Sequence, residues 1–373
     1  MLIAGVLSGT SLDGIDVAIC DVRDRDDGGV AVRCEASATV PFDDRLRARI
    51  VAAYPPAPVG ALELSALHAA IGEAFGDAVA TVADRRVLDA VGSHGITLAH
   101  DNDARHTLQL GDPFRIRERV DAMVVFDFRS ADTAAGGVGA PLVPFVDALL
   151  FAHLAPCVAI NLGGIANLTV LPETVAFDAG PANLPLDSEV ARRTRGAARF
   201  DRGGALAAAG TVDEALLARM LEDPYFAAAP PKSTGREQFG APFVARWGGE
   251  LDRCSDADAL ATLTALSART LAASIRDAAP RARLAIVSGG GVHNPTLLAM
   301  LREALPGVEV AVSDRFGVDP DAKEAIAFAV LAHATLRGRA AGLPAVTGAR
   351  GPRLLGAIVP RGLGEPLGEG GAS

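Results

Sequence analysis

The chain has 373 residues, half of them hydrophobic and 5% aromatic, with a formal net charge of −10. That length exceeds one ordinary core and suits two lobes, whose interiors Ala, Val, Leu and Ile must supply. The acidic balance speaks against nucleic acid as a main partner, since a phosphate backbone needs clustered Lys and Arg. It leaves room for a nucleotide, which needs only a few backbone N–H groups and a metal ion.

The four cysteines, Cys20, Cys34, Cys157 and Cys254, form no C-x-x-C pair, and two of them sit in apolar, strand-like runs. They read as core thiols of a reducing compartment. The apolar run 2–7 is too short for a signal peptide and lacks a basic flank. No stretch of about twenty apolar residues suggests a membrane span. The expected location is the cytoplasm.

In chain order, residues 2–8 and 15–22 read as strands joined by the polar turn GTSLDG, a hairpin. A third strand is expected over 30–38. Residues 61–85 read as a helix, because Leu64, Leu67, Ile71, Phe75, Val79 and Val82 share one face. A buried strand over 87–91 runs into a polar loop at Gly92–Gly95, and short strands follow at 108–110 and 123–126. The Gly- and Pro-rich segment 133–144 marks a lobe boundary, followed by a helix over 145–153. Strands at 157–162 and 165–171 flank a Gly pair and echo the opening hairpin. Helices are expected at 211–222, 257–278, 295–304 and 322–337, with a strand at 284–287. The alternation gives an α/β class with mixed sheets. The tail 362–373 is expected to be disordered.

Three Gly-rich turns carry the main chemical signal. The first comprises Gly9, Thr10, Ser11, Leu12, Asp13 and Gly14 after Ser8. Such a turn can aim several N–H groups at phosphate oxygens, and Asp13 adds a carboxylate suited to Mg²⁺. In the second, Gly163 and Gly164 let a backbone approach a phosphate closely. The third, Gly289, Gly290 and Gly291, joins a buried strand to a helix opened by Asn294 or Pro295, a junction that can hold a nucleotide. It is not G-x-G-x-x-G, so a dinucleotide is disfavoured. No P-loop is present. Lys232, in Pro-Lys-Ser-Thr-Gly-Arg, reads as a solvated basic residue or an anion contact at even odds.

Asp178 ends an apolar strand and begins Asp-Ala-Gly-Pro. An ionised Asp there can take a proton from an acceptor, although alone it reads first as a turn cap. His94, His100 and His106 have spacings that fit neither a helix face nor a zinc knuckle, and they read as loop histidines bonding substrate or backbone. Arg129 and Asp132 either grip a polar substrate or form a structural ion pair.

Together these segments resemble the anhydro-N-acetylmuramic acid kinases of the actin-like, sugar-kinase and Hsp70 ATPase superfamily. The matches are SGTSLDGID at 8–16, GSHG at 92–95, RH at 105–106, DFR at 127–129, GAPLVP at 139–144, N-x-GG at 161–164, FD-x-GP at 177–181, PKSTGRE at 231–237, GGG at 289–291 and TGA-x-GPR at 347–353. The resemblance implies two actin-like (ribonuclease H-like) lobes with mixed sheets flanked by helices and an interlobe ATP cleft. It places the first lobe at 1–130 with about 346–361, and the second at 131–345. It implies an enzyme using ATP and Mg²⁺ that opens 1,6-anhydro-N-acetylmuramic acid with water and phosphorylates O6, giving N-acetylmuramic acid 6-phosphate. Asp178 would be the base and Glu324 a second carboxylate. Residues 9–14 would bind the ATP phosphates, and His94, His106, Arg129, Asp132 and Lys232 would face the sugar. A homodimer is implied as well.

Ile96, Ser130, Ala131, Val138, Ala179 and Ala182 depart from the family pattern. They motivate a rival reading, a kinase of a related amino or anhydro sugar. A second rival is a non-catalytic actin-like ATP-binding switch.

Overall fold

The computed structural model describes residues 1–9, 12–55, 57–230 and 232–362. Apart from Gly362, the tail expected to be disordered lies outside the described residues.

The chain forms two compact units. One comprises Met1–Val146 and the chain from Glu324, the other Asp147–Lys323. The second unit is thus inserted into the first, with crossings at 146/147 and 323/324, where the sequence analysis places them at 130/131 and 345/346. Each crossing falls inside a helix, Val143–Phe151 and Lys323–Leu336.

The first unit is built on a seven-stranded sheet. Its strands are β1 (Leu2–Ser8), β2 (Ile15–Asp24), β3 (Val30–Val40), β4 (Ala90–Asp101), β5 (His106–Leu110), β6 (Met123–Phe126) and a last strand, Ala357–Val359. β3, β2 and β1 run antiparallel as successive neighbours. β1, β4 and β6 are parallel, and the last strand lies antiparallel on β6.

The second unit holds β7 (Cys157–Leu162), β8 (Ile165–Leu171), β9 (Val175–Pro181), β10 (Leu284–Ser288) and β11 (Glu309–Val312), in the order β11-β10-β7-β8-β9. β7, β8 and β9 are antiparallel, whereas β7, β10 and β11 are parallel. Both units therefore place three antiparallel strands, then two parallel ones beyond the first: the ribonuclease H-like order. The hairpin echo in the sequence extends to a whole repeated sheet.

This order decides where chemistry can occur. In open α/β sheets ligands bind beyond the carboxyl ends of the parallel strands. In the first unit β1 and β6 end at the turn after Ser8 and at Asp127, and the parallel pairing of β4 with β6 stops at Ser93. In the second the parallel strands lead to Gly163–Gly164 and to Gly289–Gly291. The Gly-rich turns singled out on chemical grounds lie at such ends, whereas Asp178 stands within the antiparallel strand β9.

Two glycines set the depth at which the helix Lys323–Leu336 packs. A Cβ on Gly5 would come 1.8 Å from Ala325 O, and one on Gly92 2.1 Å from Phe328 O. Helix backbone thus rests directly on β1 and β4.

Three differences from the sequence reading have local causes. Gly92–Gly95 is part of β4, not a loop, because Gly92 and Ser93 pair with both β1 and β6. Its polar residues Ser93 and His94 line a cavity. The helices Asp44–Ala53 and Pro113–Val120 went unread because each buries only two residues of its face. Their caps were legible: Asp43 accepts from the N–H groups of Arg45 and Leu46, and Asp112 from that of Phe114.

The inserted unit is fastened at its own ends. Lys323 Nζ lies 2.8 Å from Asp147 Oδ1, with both side chains at most 4% exposed. Thr169 Oγ1 donates to Asp147 Oδ2 at 2.8 Å. Removing one member of a buried pair strands the other charge, at a cost of about 3–5 kcal/mol. Asp147→Ala is expected to lose roughly that much in urea unfolding, while Asp147→Leu with Lys323→Met recovers most of it.

Candidate functional site

In the second unit the site is organised around Asp178. β9 carries it opposite Asn167 of β8. Asn167 Nδ2 donates to Oδ1. Ser233 Oγ and Thr234 N donate to Oδ2 at 2.8 and 2.9 Å. The backbone is fixed too: Asp178 N donates to Lys232 O at 3.1 Å, and Tyr225 OH donates to Asp178 O at 2.7 Å. The Lys-Ser-Thr loop is therefore a clamp on this carboxylate. A carboxylate has about four acceptor positions. The three donors leave one on Oδ1, which can take a proton from a bound molecule.

Lys232 does not point at the carboxylate. Its Nζ donates to Tyr225 O at 3.1 Å and lies 4.7 Å from the centre of the Tyr225 ring. Burial lowers its pKa. Its backbone carbonyl serves Asp178, while its ammonium anchors the loop to the Tyr225 segment.

The two Gly turns of this unit pack on each other. A Cβ on Gly289, which has φ +84°, would meet Asn161 Oδ1 at 2.5 Å, and one on Gly291 would meet Leu162 Cβ at 2.6 Å. These two glycines are required by packing. Gly163, Gly164 and Gly290 are not. A Cβ would make only ordinary contacts at the first two and meet nothing within 4 Å at the third, and none has a left-handed φ. Asn183 ties the second turn to the helix Leu184–Arg193 by donating from Nδ2 to Gly163 O at 2.8 Å.

In the first unit Thr10 and Ser11 lie outside the described residues. Around them, Leu12 N donates to Gly9 O at 3.0 Å, and Arg47 Nε donates to Leu12 O at 3.0 Å. The Leu12 side chain is buried in the core, so only its backbone is open to a ligand role. Gly14 is demanded by packing, since a Cβ would stand 2.4 Å from Thr39 Cγ2. Asp13 is exposed. Asp16, one turn on, has its pKa raised by burial, with the charge of Asp13 adding to the effect.

His94 and Arg129 form a buried pair. His94 Nδ1–H donates to Gly95 O at 3.1 Å, and Nε2 accepts from Arg129 Nε at 3.0 Å. The ring lies 4.6 Å from that of Phe328. Burial, aided by the Arg129 charge, pushes its pKa down to about 3. Both ring nitrogens are thus engaged within the protein, and His94 orients Arg129 instead of reaching outward. Arg129 Nη1 also donates to Gly139 O at 2.7 Å. Its own pKa is lowered to about 10 by burial, a drop the nearby Glu324 carboxylate opposes. Glu324 stands exposed in the first turn of its helix.

Asp132 is neither an open substrate contact nor an ion-pair partner of Arg129. It is 1% exposed, its Oδ1 accepts from Thr347 Oγ1 at 2.8 Å, and its Oδ2 from Gly139 N at 2.9 Å. It holds together the loops that contain residues 136–139 and 347–353. His106 opens β5 and is exposed.

A cavity of about 140 Å³ opens beside His94, between Ser93, His68, Gln109 and Asp127. Ser93 Oγ is buried there without a hydrogen-bond partner among the described residues. None of these four neighbours of His94 had been singled out from the sequence. The signal available was the position of Ser93 and Asp127 inside the matched motifs GSHG and DFR.

The sequence profile of the anhydro-N-acetylmuramic acid kinases matches residues 1–361. A relative from Xanthomonas oryzae pv. oryzae named anhydro-N-acetylmuramic acid kinase is 47% identical, over 96% of this chain and 97% of its own. One of that name from Streptomyces coelicolor is 42% identical, over 99% and 97%. This chain belongs to the anhydro-N-acetylmuramic acid kinase family. Among solved structures, an activator of 2-hydroxyisocaproyl-CoA dehydratase from Clostridium difficile aligns with a TM-score of 0.43 at 12% identity, covering 91% of this chain and 96% of that one. Nothing further is drawn from so distant a likeness.

Membership gives the departures from the family pattern a structural setting. Ile96 is 1% exposed in the core of the first unit, and Ala179 and Ala182 lie in that of the second. These are packing positions. Ser130 lines the cavity and donates its N–H to Asp127 Oδ1 at 3.1 Å.

The His94 geometry predicts a pH effect. The unfolded ring binds a proton near 6.5, the folded one only near about 3. The unfolded state therefore holds more protons between these values, so stability rises with pH across that window and is lost as pH falls through it. His94→Gln is expected to flatten the pH dependence of unfolding between about pH 6 and 4 by close to one proton, read from urea titrations at each pH.

Proposed function

We propose that this chain is an ATP-dependent kinase that opens 1,6-anhydro-N-acetylmuramic acid and phosphorylates its O6. Water adds to the anomeric carbon, the bond from that carbon to O6 breaks, and the γ-phosphoryl passes to O6. The products are N-acetylmuramic acid 6-phosphate and ADP. The reading rests on family membership and, within the protein, on one observation: a carboxylate, Asp178, fixed by three donors with an acceptor position to spare.

Asp178 takes the proton from the attacking water, as the base of an inverting glycosidase does. The Asn167, Ser233 and Thr234 donors fix its direction, which matters because a base must meet its proton within hydrogen-bond reach. Arg129, oriented by neutral His94, is assigned to the sugar, as is His106 from the RH motif, and Glu324 is the second carboxylate.

The turn around residues 9–14 and the glycines Gly163, Gly164 and Gly290 are assigned to the nucleotide phosphates. The last three supply the argument, since the protein's own packing leaves their missing side chains unexplained. Mg²⁺ bound with ATP neutralises charge on the phosphates. Asp13 is the residue to hold it, directly or through water. A single exposed carboxylate suits an ion that keeps most of its shell as phosphate oxygens and water. The cytoplasm and a homodimeric state belong to the same reading. The first is supported by four free cysteines, the second by family resemblance alone.

Asp178→Asn keeps the shape and removes the base. It is expected to lower sugar-dependent ADP release by about 10²–10⁴-fold while ATP binding persists. Retained turnover would overturn the assignment, and phosphorylation of ordinary N-acetylmuramic acid but not the anhydro sugar would favour the related-kinase reading. A separate check is Gly290→Ala. Stability should move by no more than about 0.5 kcal/mol, whereas KM for ATP should rise. An unchanged KM would remove Gly290 from the phosphate site.

A further inference from the structure

Two arginines of the first unit meet at one glycine. Arg105 lies in the turn between β4 and β5 with a left-handed φ of 55°, a conformation uncommon for a residue other than Gly and often kept where function requires it. Its Nη1 donates to Gly136 O at 2.6 Å. Arg350, from the 347–353 segment, bonds the same loop. Its backbone N donates to Ala135 O at 3.0 Å and its Nη2 to Ala134 O at 3.4 Å. Both Nη1 atoms stand 3.3 Å from the point a Gly136 Cβ would occupy. Any side chain there would crowd both guanidinium groups.

Two cations held this close repel each other. Their hydrogen bonds go to neutral carbonyls, and among the described residues neither arginine has a carboxylate within ion-pair distance. The loop's own acid, Asp132, is turned inward onto Thr347 and Gly139 N. Each guanidinium has five N–H donors in a fixed fork, so most of them remain for a ligand. A planar anion held by both arginines would relieve the repulsion and match the fork geometry.

We propose that Arg105 and Arg350 form a carboxylate clamp that recognises the lactyl ether carboxylate of the muramic acid sugar. The inference rests on the substrate reading above and deepens it. That carboxylate is the only anionic group of the sugar and the feature that separates it from the neutral N-acetylglucosamine analogue. The nucleotide phosphates are the other anions available. The turns assigned to them lie after β1, β7 and β10, whereas the clamp arginines lie on the β4–β5 turn and in the 347–353 segment, both bonded to the 134–136 carbonyls.

The test compares 1,6-anhydro-N-acetylmuramic acid with its lactyl methyl ester in wild type, Arg105→Gln, Arg350→Gln and Arg350→Lys. Losing a hydrogen bond to a charged group corresponds to about tenfold or more in affinity. Each Gln variant should raise KM for the acid by about that factor, with kcat little changed and KM for the ester and for ATP unmoved. Arg350→Lys, which keeps the charge and loses the fork, should fall between. Equal losses for acid and ester, or a rise confined to KM for ATP, would overturn the clamp. Should a variant not fold, wild type still decides: equal use of ester and acid overturns the proposal. Wild type that turns over neither sugar overturns the substrate reading, and the clamp with it.

Discussion

The arrangement depends first on one buried ion pair. Asp147 and Lys323 are the first and last residues of the inserted unit, and their side chains meet in its interior. A segment of this length could enter and leave its host at widely separated points. Here Asp147 of the entry helix and Lys323 at the start of the exit helix meet as opposite charges, and Thr169 of β8 donates to the other oxygen of Asp147. Asp147 Oδ1 has the ionic contact with Lys323 but no hydrogen bond among the described residues, so the mutual attraction must offset the desolvation of both groups. The pair ties the two crossings to the sheet that carries Asp178.

From that sheet the site follows by short steps. The strand order puts β7 and β10 in the middle, so their Gly turns meet at the carboxyl edge. The β8–β9 hairpin places Asn167 across from Asp178. The Lys-Ser-Thr loop then adds two donors from far along the chain. The first unit uses the same order with different groups. It sets a neutral histidine behind an arginine, and one buried acid between two loops, where the second unit sets a clamped carboxylate. One scaffold used twice carries a clamped carboxylate in one copy and an oriented arginine in the other.

Much of this was legible in the sequence, and what was not has identifiable causes. The long strands and the helices over 61–83 and 256–278 announce themselves by periodic apolar faces. The short capped helices bury too little to do so. Asp178 could be singled out from its strand and Gly-Pro turn, but Ser233 and Thr234 could not be assigned to it, because their contact spans 55 and 56 residues. His94 reads as bonding either substrate or backbone, and Asp132 as gripping a substrate or pairing with Arg129; the sequence leaves both choices open. In the fold His94 bonds Gly95 O and Arg129, and both oxygens of buried Asp132 accept from the protein, contacts that sequence distance cannot reveal. Glycine shows the same limit. Gly291 and Gly290 are adjacent and identical in sequence, yet one is packed against Leu162 and the other faces open space.

The bare contact of the helix Lys323–Leu336 with β1 and β4 has a mechanical meaning. Between most helices and sheets a layer of side chains can shift rotamers and absorb small displacements. At Gly5 and Gly92 that layer is missing. The joint has almost no compliance, so the helix cannot slide or tilt there without its carbonyls striking the strands. Glu324, one turn from this joint, is held in register with the strand that bears His94 much as a part is held by a machined seat, with its position set by backbone geometry and insensitive to how the surrounding side chains repack.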